Sequence, residues 1–317
     1  MNSSRRDFIK TASAATAGAV ISPQLMAVNF TADIIKNPVC VFTKCLQYLD
    51  YERLGETLAL NGFDGADLSV RKGGHVLPEN IKNDLPKAVK ALKRSGISVP
   101  MMVTGINNPD DPLTEKILGT ASELGIKFYR MGYFYYDINK PVQEILDSSM
   151  RAFERLESIN RKVGITGCYQ NHPGTYVGSP LWDLYLLLKD RDPAFIGAQY
   201  DIGQAVMEGS ESWPLAMKLL APWIKTTAIK DFIFQEKNGK WLKTYVPLGK
   251  GMVDYDAYLK EYVKLGLSGP VTIHLEYDLG GAQSGKTNPT MSPDEINVFL
   301  KDDLSWLKKK FKEHKIK

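Results

Sequence analysis

Pro270-Val271-Thr272-Ile273-His274-Leu275-Glu276-Tyr277 sets three polar side chains, Thr272, His274 and Glu276, against three aliphatic ones, Val271, Ile273 and Leu275. Successive side chains of an extended strand point to opposite faces of a sheet. The stretch therefore reads as a strand with an aliphatic face for helices to cover and a polar face turned the other way. Burying an imidazole and a carboxylate together is costly unless each is hydrogen-bonded or touches a ligand. A closed sheet with a site at one end of its interior accommodates such a strand.

Working outward, seven earlier runs have strand character: Val39–Cys45, Gly65–Val70, Val99–Gly105, Phe128–Tyr133, Ile165–His172, Phe195–Ile202 and Ile224–Phe232. Helical patterns follow them at Tyr51–Leu60, Pro78–Arg94, Leu113–Leu124, Pro141–Val163, Ser179–Lys189, Glu211–Leu220, Tyr255–Leu265 and Ser292–Glu313. Pro78 opens one helix and Gly96 lies past its end, while Ser292-Pro293-Asp294-Glu295 is a good N-cap run. Strand–helix alternation predicts an α/β fold with a parallel sheet. Eight such units in 317 residues fit a single (β/α)8 TIM barrel, typically ~250 residues. An open doubly wound sheet is the alternative, and it would usually carry a glycine-rich dinucleotide loop after its first strand. Here that position reads Phe42-Thr43-Lys44-Cys45-Leu46-Gln47, without glycine, and no nucleotide cofactor is expected.

The net charge is +4, with +2 in the first ten residues and +5 in Lys308–Lys317, so the remainder is mildly acidic. That excludes a basic body built to run along nucleic acid. The basic tail reads as the solvated end of the last helix, where cations suit the dipole. Three cysteines, Cys40, Cys45 and Cys168, form no disulfide framework. Cys40 and Cys45, five apart on one expected strand, should face opposite ways and stay unpaired.

Ser4-Arg5-Arg6-Asp7-Phe8-Ile9-Lys10 precedes a weakly apolar run, Thr11 to Ile21. The pattern resembles a twin-arginine export signal, and the run is too short to span a bilayer. A cleaved leader over residues 1–27, a barrel domain over 28–317, no stable membrane anchor and a periplasmic or extracellular destination are the expectations. The oligomeric state stays open.

In a barrel of this kind the site lies at the C-terminal ends of the strands. There Gln170 and His172 share a face with Cys168, and Asp201 shares one with Gln199. Thr226, Ala228 and Lys230 alternate against Thr227, Ile229 and Asp231. Lys44 and Lys230 facing Asp201 and Glu276 would make a pocket for polyhydroxylated or anionic substrates. Asp67, Arg71 and Arg130 would add to its wall. Asp231 should face the outer shell, in an N-cap or loop-fixing role. Tyr133, Phe134, Tyr135 and Tyr136, with Tyr169 and Tyr176, crowd aromatic faces near the same end, as sugar sites commonly do.

The residues resemble the sugar phosphate isomerase/epimerase family, whose xylose-isomerase-like barrel is shared by the endonuclease IV group. The resemblance runs from about residue 34 to the end. It rests on Asn61-Gly62-Phe63-Asp64-Gly65-Ala66-Asp67-Leu68, Gln170-Asn171-His172, Tyr200-Asp201-Ile202-Gly203-Gln204, Ala228-Ile229-Lys230-Asp231, Val246-Pro247-Leu248-Gly249-Lys250-Gly251-Met252-Val253-Asp254 and the closing strand. The resemblance implies a divalent metal (Mn, Mg or Zn) held by Glu, Asp, His and Glu. Position by position this chain offers Gln170, Asp201, Ala228 and Glu276. Alanine cannot ligate, and an amide is a poorer ligand than a carboxylate for a hard cation. Any metal on Asp201, Glu276 and Gln170 should therefore be weak unless His172 or His274 substitutes. With four histidines the chain cannot supply the endonuclease branch's three zinc ions.

The expectation is an exported enzyme that transfers a proton next to a carbonyl of a carbohydrate or polyol, by isomerisation or epimerisation. Glu276 would be the general acid or base, with His274 as partner and His172 in reserve. Lys230 and Lys44 would stabilise enolate charge, while Asp201, Gln170, Asp67 and Arg130 bind substrate. Elimination on a keto-sugar and a non-catalytic carbohydrate-binding barrel are the alternatives. Replacing Arg5 and Arg6 with Lys is expected to strand the precursor in the cytoplasm; mature protein recovered outside the cytoplasm by fractionation of that mutant would sink the export reading.

Overall fold

The computed structural model describes residues 36–317. The expected leader lies outside the described residues. In chain order the elements are β1 (Val39–Phe42), α1 (Tyr51–Asn61), β2 (Gly65–Ser69), α2 (Ile81–Arg94), β3 (Ser98–Val103), α3 (Thr114–Glu123), β4 (Phe128–Arg130), α4 (Val142–Val163), β5 (Thr166–Gln170) and α5 (Leu181–Leu188). They continue with β6 (Ile196–Asp201), α6 (Ile202–Gly209), α7 (Trp213–Leu220), β7 (Ile224–Ile229), β8 (Asp231–Lys237), β9 (Lys240–Val246), α8 (Tyr255–Lys264), β10 (Val271–Ile273) and α9 (Pro293–Glu313).

Eight strands close into a parallel barrel in the order β1, β10, β7, β6, β5, β4, β3, β2. This is the TIM barrel expected from the alternation. Closure is direct: Cys40 of β1 pairs with Thr272 of β10 on one side and with Gly65 of β2 on the other. The apolar core lies mainly between the strands and the helical ring, where Leu54, Leu58, Leu85, Leu92, Phe153 and Leu304 are buried. Inside the barrel the filling is unusually polar, with Asp67, Gln199, Thr226 and Thr272 all buried; aliphatic residues usually dominate there.

Several boundaries differ from expectation for identifiable reasons. Residues Thr43–Leu46 form a single 3-10 turn, so Lys44 and Cys45 sit on that turn rather than on β1. Cys40, Cys45 and Cys168 are nonetheless free and buried. Ile202 opens a helix instead of ending a strand, because the Asp201 side chain accepts from the backbone N–H of Gln204 and caps α6. The last barrel strand ends its ladder at Ile273, although His274 N–H still donates to the Ile229 carbonyl.

The main addition is an antiparallel hairpin, β8 with β9, which the reading of Ile224–Phe232 as one strand concealed. Its turn is Asn238-Gly239, both at positive φ (54° and 72°). That dipeptide is the residue choice a two-residue hairpin turn demands.

Asp231 shows why the loop after this hairpin has its sequence. Its carboxylate accepts from the backbone N–H groups of Gly249 (3.0 Å), Gly251 (2.9 Å), Val253 (3.3 Å) and Phe232 (2.9 Å). A Cβ on Gly251 would lie 2.0 Å from Asp231 Oδ1, so only glycine fits. Asp254 then caps α8 by accepting from Ala257 N–H. Asp231→Ala strips the four donors of their acceptor; those of Phe232 and Val253 are buried, and a buried donor left unsatisfied costs about 1–3 kcal/mol. Urea unfolding of that variant should show a loss of roughly 3 kcal/mol or more; an unchanged midpoint would mean that the loop does not depend on Asp231.

Candidate active site

A cavity of about 160 Å³ opens at the C-terminal ends of the barrel strands. Lys44, Arg130, Gln170, His172, Lys230, His274 and Glu276 all line it, with Arg71, Phe42 and Tyr133. Larger hollows of about 220 and 500 Å³ lie to the side, around Asn107 and Asn108, and contain neither Glu276 nor Lys230. The chemistry is concentrated in the smaller one.

Its centre is the ion pair of Lys230 Nζ with Asp201 Oδ2, 2.9 Å apart and almost wholly buried. Strand alternation puts Lys230 inward just past β7, and Asp201 ends β6. Asp201 also accepts from Gln170 Nε2 (2.7 Å) and from Gln204 N–H (3.1 Å). Gln170 Oε1 in turn accepts from Tyr133 Oη (2.7 Å) and Arg130 Nη1 (3.1 Å). Asn171 brackets the Asp201 backbone with both ends of its amide. Burial favours the neutral amine, but Asp201 and then Glu276 hold Lys230 well above its ordinary value.

Glu276 is the second centre. Lys44 Nζ donates to its Oε2 at 2.8 Å. Burial works to raise the carboxyl's pKa; Lys230 and then Lys44 outweigh it, and the net shift is downward. Glu276 is therefore an ionised carboxylate, able to accept a proton, at neutral pH. His274 stands between two carboxylates, with Nδ1 at 3.9 Å from Glu276 Oε1 and Nε2 at 3.9 Å from Asp67 Oδ2. Both separations exceed hydrogen-bond length. Burial and then the Lys230 and Arg130 charges push the imidazole well below its usual range, so it is neutral.

His172 is also neutral, lowered to about 4 by burial and then by Lys230. Its Nδ1 lies 3.3 Å from the Pro173 carbonyl oxygen. A carbonyl only accepts, so Nδ1 carries the hydrogen and Nε2 keeps its lone pair. The ring packs against Tyr133 and Tyr176, centroids 5.1 and 4.2 Å away.

Asp67 differs from expectation. It lies beneath the cavity, fully buried, and does not form part of the substrate-facing wall. It stands behind His274, its Oδ2 3.9 Å from that ring's Nε2. Two contributors escaped the sequence reading. Phe42 gathers three cations around its ring: Lys44 at 5.6 Å, Arg71 at 5.2 Å and Arg130 at 5.6 Å. Tyr245, on the overlooked β9, lies 5.6 Å from Lys230 Nζ and accepts from Gln204 Nε2. Asn238-Gly239 was the signal that could have found it.

The donor set does not fit a divalent metal. Ala228 offers no ligand atom, both ends of the Gln170 amide are engaged, and Asp201 and Glu276 are each bound to a lysine. Among the described residues, no three of His, Cys, Asp and Glu converge to hold a metal ion.

Residues 56–309 match the family described as Xylose isomerase-like TIM barrel. No curated protein matches the chain in sequence. Similar solved structures include an L-ribulose 3-epimerase, 13% identical with a TM-score of 0.65, covering 88% of this chain and 96% of that one. A 3-keto-D-glucoside 4-epimerase from E. coli is 13% identical with a TM-score of 0.63, covering 86% and 100%. A xylose isomerase domain protein from Planctomyces limnophilus is 16% identical with a TM-score of 0.62, covering 88% and 98%.

Asp67 yields a pH prediction. Burial raises its carboxyl from 3.8 to about 7, against the opposing pull of Arg130 and Thr272. The unfolded chain releases this proton near 3.8 and the folded chain keeps it to about 7. The folded state therefore binds more protons in that window, and this contribution to stability falls as pH rises through it. The slope is at most about 1.4 kcal/mol per pH unit and flattens above the folded pKa. Denaturant unfolding across the window should show a shallower decline for Asp67→Asn than for the wild type; parallel curves would clear Asp67 of responsibility.

Proposed function

The chain belongs to the xylose isomerase-like TIM barrel family, and from that membership we propose that it is a carbohydrate isomerase or epimerase that moves a proton at the carbon next to a carbonyl. The observation that carries this reading is the ionised Glu276 carboxylate sharing one cavity with the buried Lys230 ammonium. A base and a fixed cation in one pocket are the two parts that enolisation needs.

In this reading the substrate carbonyl oxygen rests against Lys230 Nζ, with Lys44 as a second cation. Glu276 takes the proton from the adjacent carbon, and the C–H electron pair moves through the carbon–carbon bond onto oxygen. The enolate charge develops beside Lys230, whose protonation Asp201 secures. Return of a proton to the opposite face of the same carbon gives epimerisation; passage of that carbon's hydroxyl proton to the enolate oxygen, followed by return of the carbon-bound proton to the neighbouring carbon, gives isomerisation. His172 follows β5 and Glu276 follows β10, with β6 and β7 between those strands in the barrel ring. Protonated in its turn at Nε2, His172 is placed to serve from another side of the cavity. The donor set argues for this chemistry on the chain's own cations.

The keto-glucoside epimerase among the similar structures supports a keto-sugar as substrate; an enolate with a leaving group at the next carbon would then give elimination. The twin-arginine pattern supports export to the periplasm or beyond.

The test is solvent deuterium incorporation next to the carbonyl across a panel of ketoses and keto-sugars. Losing a positioned acid or base costs ~10²–10⁴-fold in rate, and Glu276→Gln should lose incorporation by that order while still binding substrate. Undiminished exchange in the mutant would remove Glu276 from the mechanism. Binding without exchange in the wild type would favour the non-catalytic alternative.

A further inference from the structure

Four cationic side chains line the cavity, and their partners are unequal. Lys44 is paired with Glu276 and Lys230 with Asp201, at 2.8 and 2.9 Å. Arg71 and Arg130 have no carboxylate within 4.0 Å among the described residues. Arg130 is 5% exposed and spends one nitrogen on Gln170, while its Nε is buried without a hydrogen-bond partner. Arg71 follows β2 and is half-buried on the cavity wall. Both guanidinium carbons lie near the same Phe42 ring, at 5.2 and 5.6 Å from its centroid, and each charge is felt within the one cavity. Burial, then Arg130's charge, lowers Arg71 below its ordinary value. Two carboxylates act on them from a distance: Glu276, already paired with Lys44, and the buried Asp67, itself raised to about 7 and so only partly ionised at neutral pH.

We propose that the substrate of this cavity carries an oxyanion, a carboxylate or a phosphate on the sugar skeleton, seated between Arg71 and Arg130; this rests on the reading of the cavity as a carbohydrate site. A neutral sugar would leave two guanidinium groups without a directly paired carboxylate in a partly dry pocket. An oxyanion relieves their repulsion, and its oxygens match the planar fork of arginine. The anion would fix one end of the substrate on the β2–β4 side of the barrel. The reacting carbon is then left to Glu276 and Lys230 on the β10–β7 side.

The experiment is calorimetric titration of the mature protein with hexuronates, hexose 6-phosphates and the neutral hexoses of the same configurations. A charge-assisted pair of this kind is worth roughly 10-fold or more in affinity. In at least one configuration the charged sugar should bind that much more tightly than its neutral counterpart. The preference should shrink to about 3-fold or less in Arg71→Gln and weaken at high salt. Arg71 is only half-buried, so the variant should fold; Arg130→Lys, which keeps the charge and loses the fork, provides a second reading. The winning arm identifies carboxylate or phosphate. Equal affinity of charged and neutral sugars, failure of every charged sugar to bind, or a preference unmoved in Arg71→Gln overturns the proposal. Binding is read without turnover, so a failed deuterium exchange alongside a charge preference would unseat the isomerase reading alone.

Discussion

The ion pair of Lys230 with Asp201 holds this site together. Two buried charges cost several kcal/mol each to desolvate, and their attraction repays that only with good geometry and further hydrogen bonds. Both conditions hold: the pair spans 2.9 Å, and Gln170 and the Gln204 amide complete the carboxylate's partners. The same carboxylate caps α6, so one side chain joins β6, β7, β5 and the helix behind them. Removing either partner would leave an uncompensated charge at the centre of the barrel.

From that pair the remaining electrostatics follow. Lys230 is the largest influence lowering the Glu276 carboxyl, and it stands second only to burial in keeping both His172 and His274 neutral. A pocket that holds four cations keeps its imidazoles unprotonated and holds Glu276 ionised, while the more deeply buried Asp67 is raised by desolvation. For the carboxylate this inverts the simplest expectation, which is that burial favours the neutral form; for the imidazoles charge and burial act together. Glu276 therefore enters as a base, and a proton delivered to either histidine is held weakly and passed on readily.

The barrel was legible in the sequence because alternation within strands and spacing between them are local signals. The β10 region shows this most plainly: Thr272, His274 and Glu276 read as one face, and His274 and Glu276 do line the cavity. What alternation cannot convey is which inward side chains another one covers, so Asp67 passed for a wall residue when it is buried behind His274. Nor could it show that Thr43–Leu46 coils into a turn, which is what brings Lys44 round to Glu276. The hairpin was legible in principle through Asn238-Gly239. It was masked because Phe232-Ile233-Phe234 resumes the apolar character of β7 after only two residues. The neutral state of the histidines was not legible, since it depends on cations brought together from β1, β2, β4 and β7.

The replacements at the expected metal positions make sense as a set rather than as separate losses. A carboxylate at position 170 would sit 2.7 Å from Asp201, the distance at which Gln170 Nε2 now donates. Two carboxylates that close need a second positive charge or a shared proton. The amide removes the repulsion and turns that contact into a hydrogen bond. Its other end, Oε1, takes up Tyr133 and Arg130, which a bound metal would have had to compete with. Ala228, fully buried beneath, adds no further ligand to that centre and leaves Lys230 as its cation. Gln170, Ala228 and Lys230 thus form a self-consistent charge balance around Asp201. Restoring a single acidic ligand would break that balance without assembling a metal site.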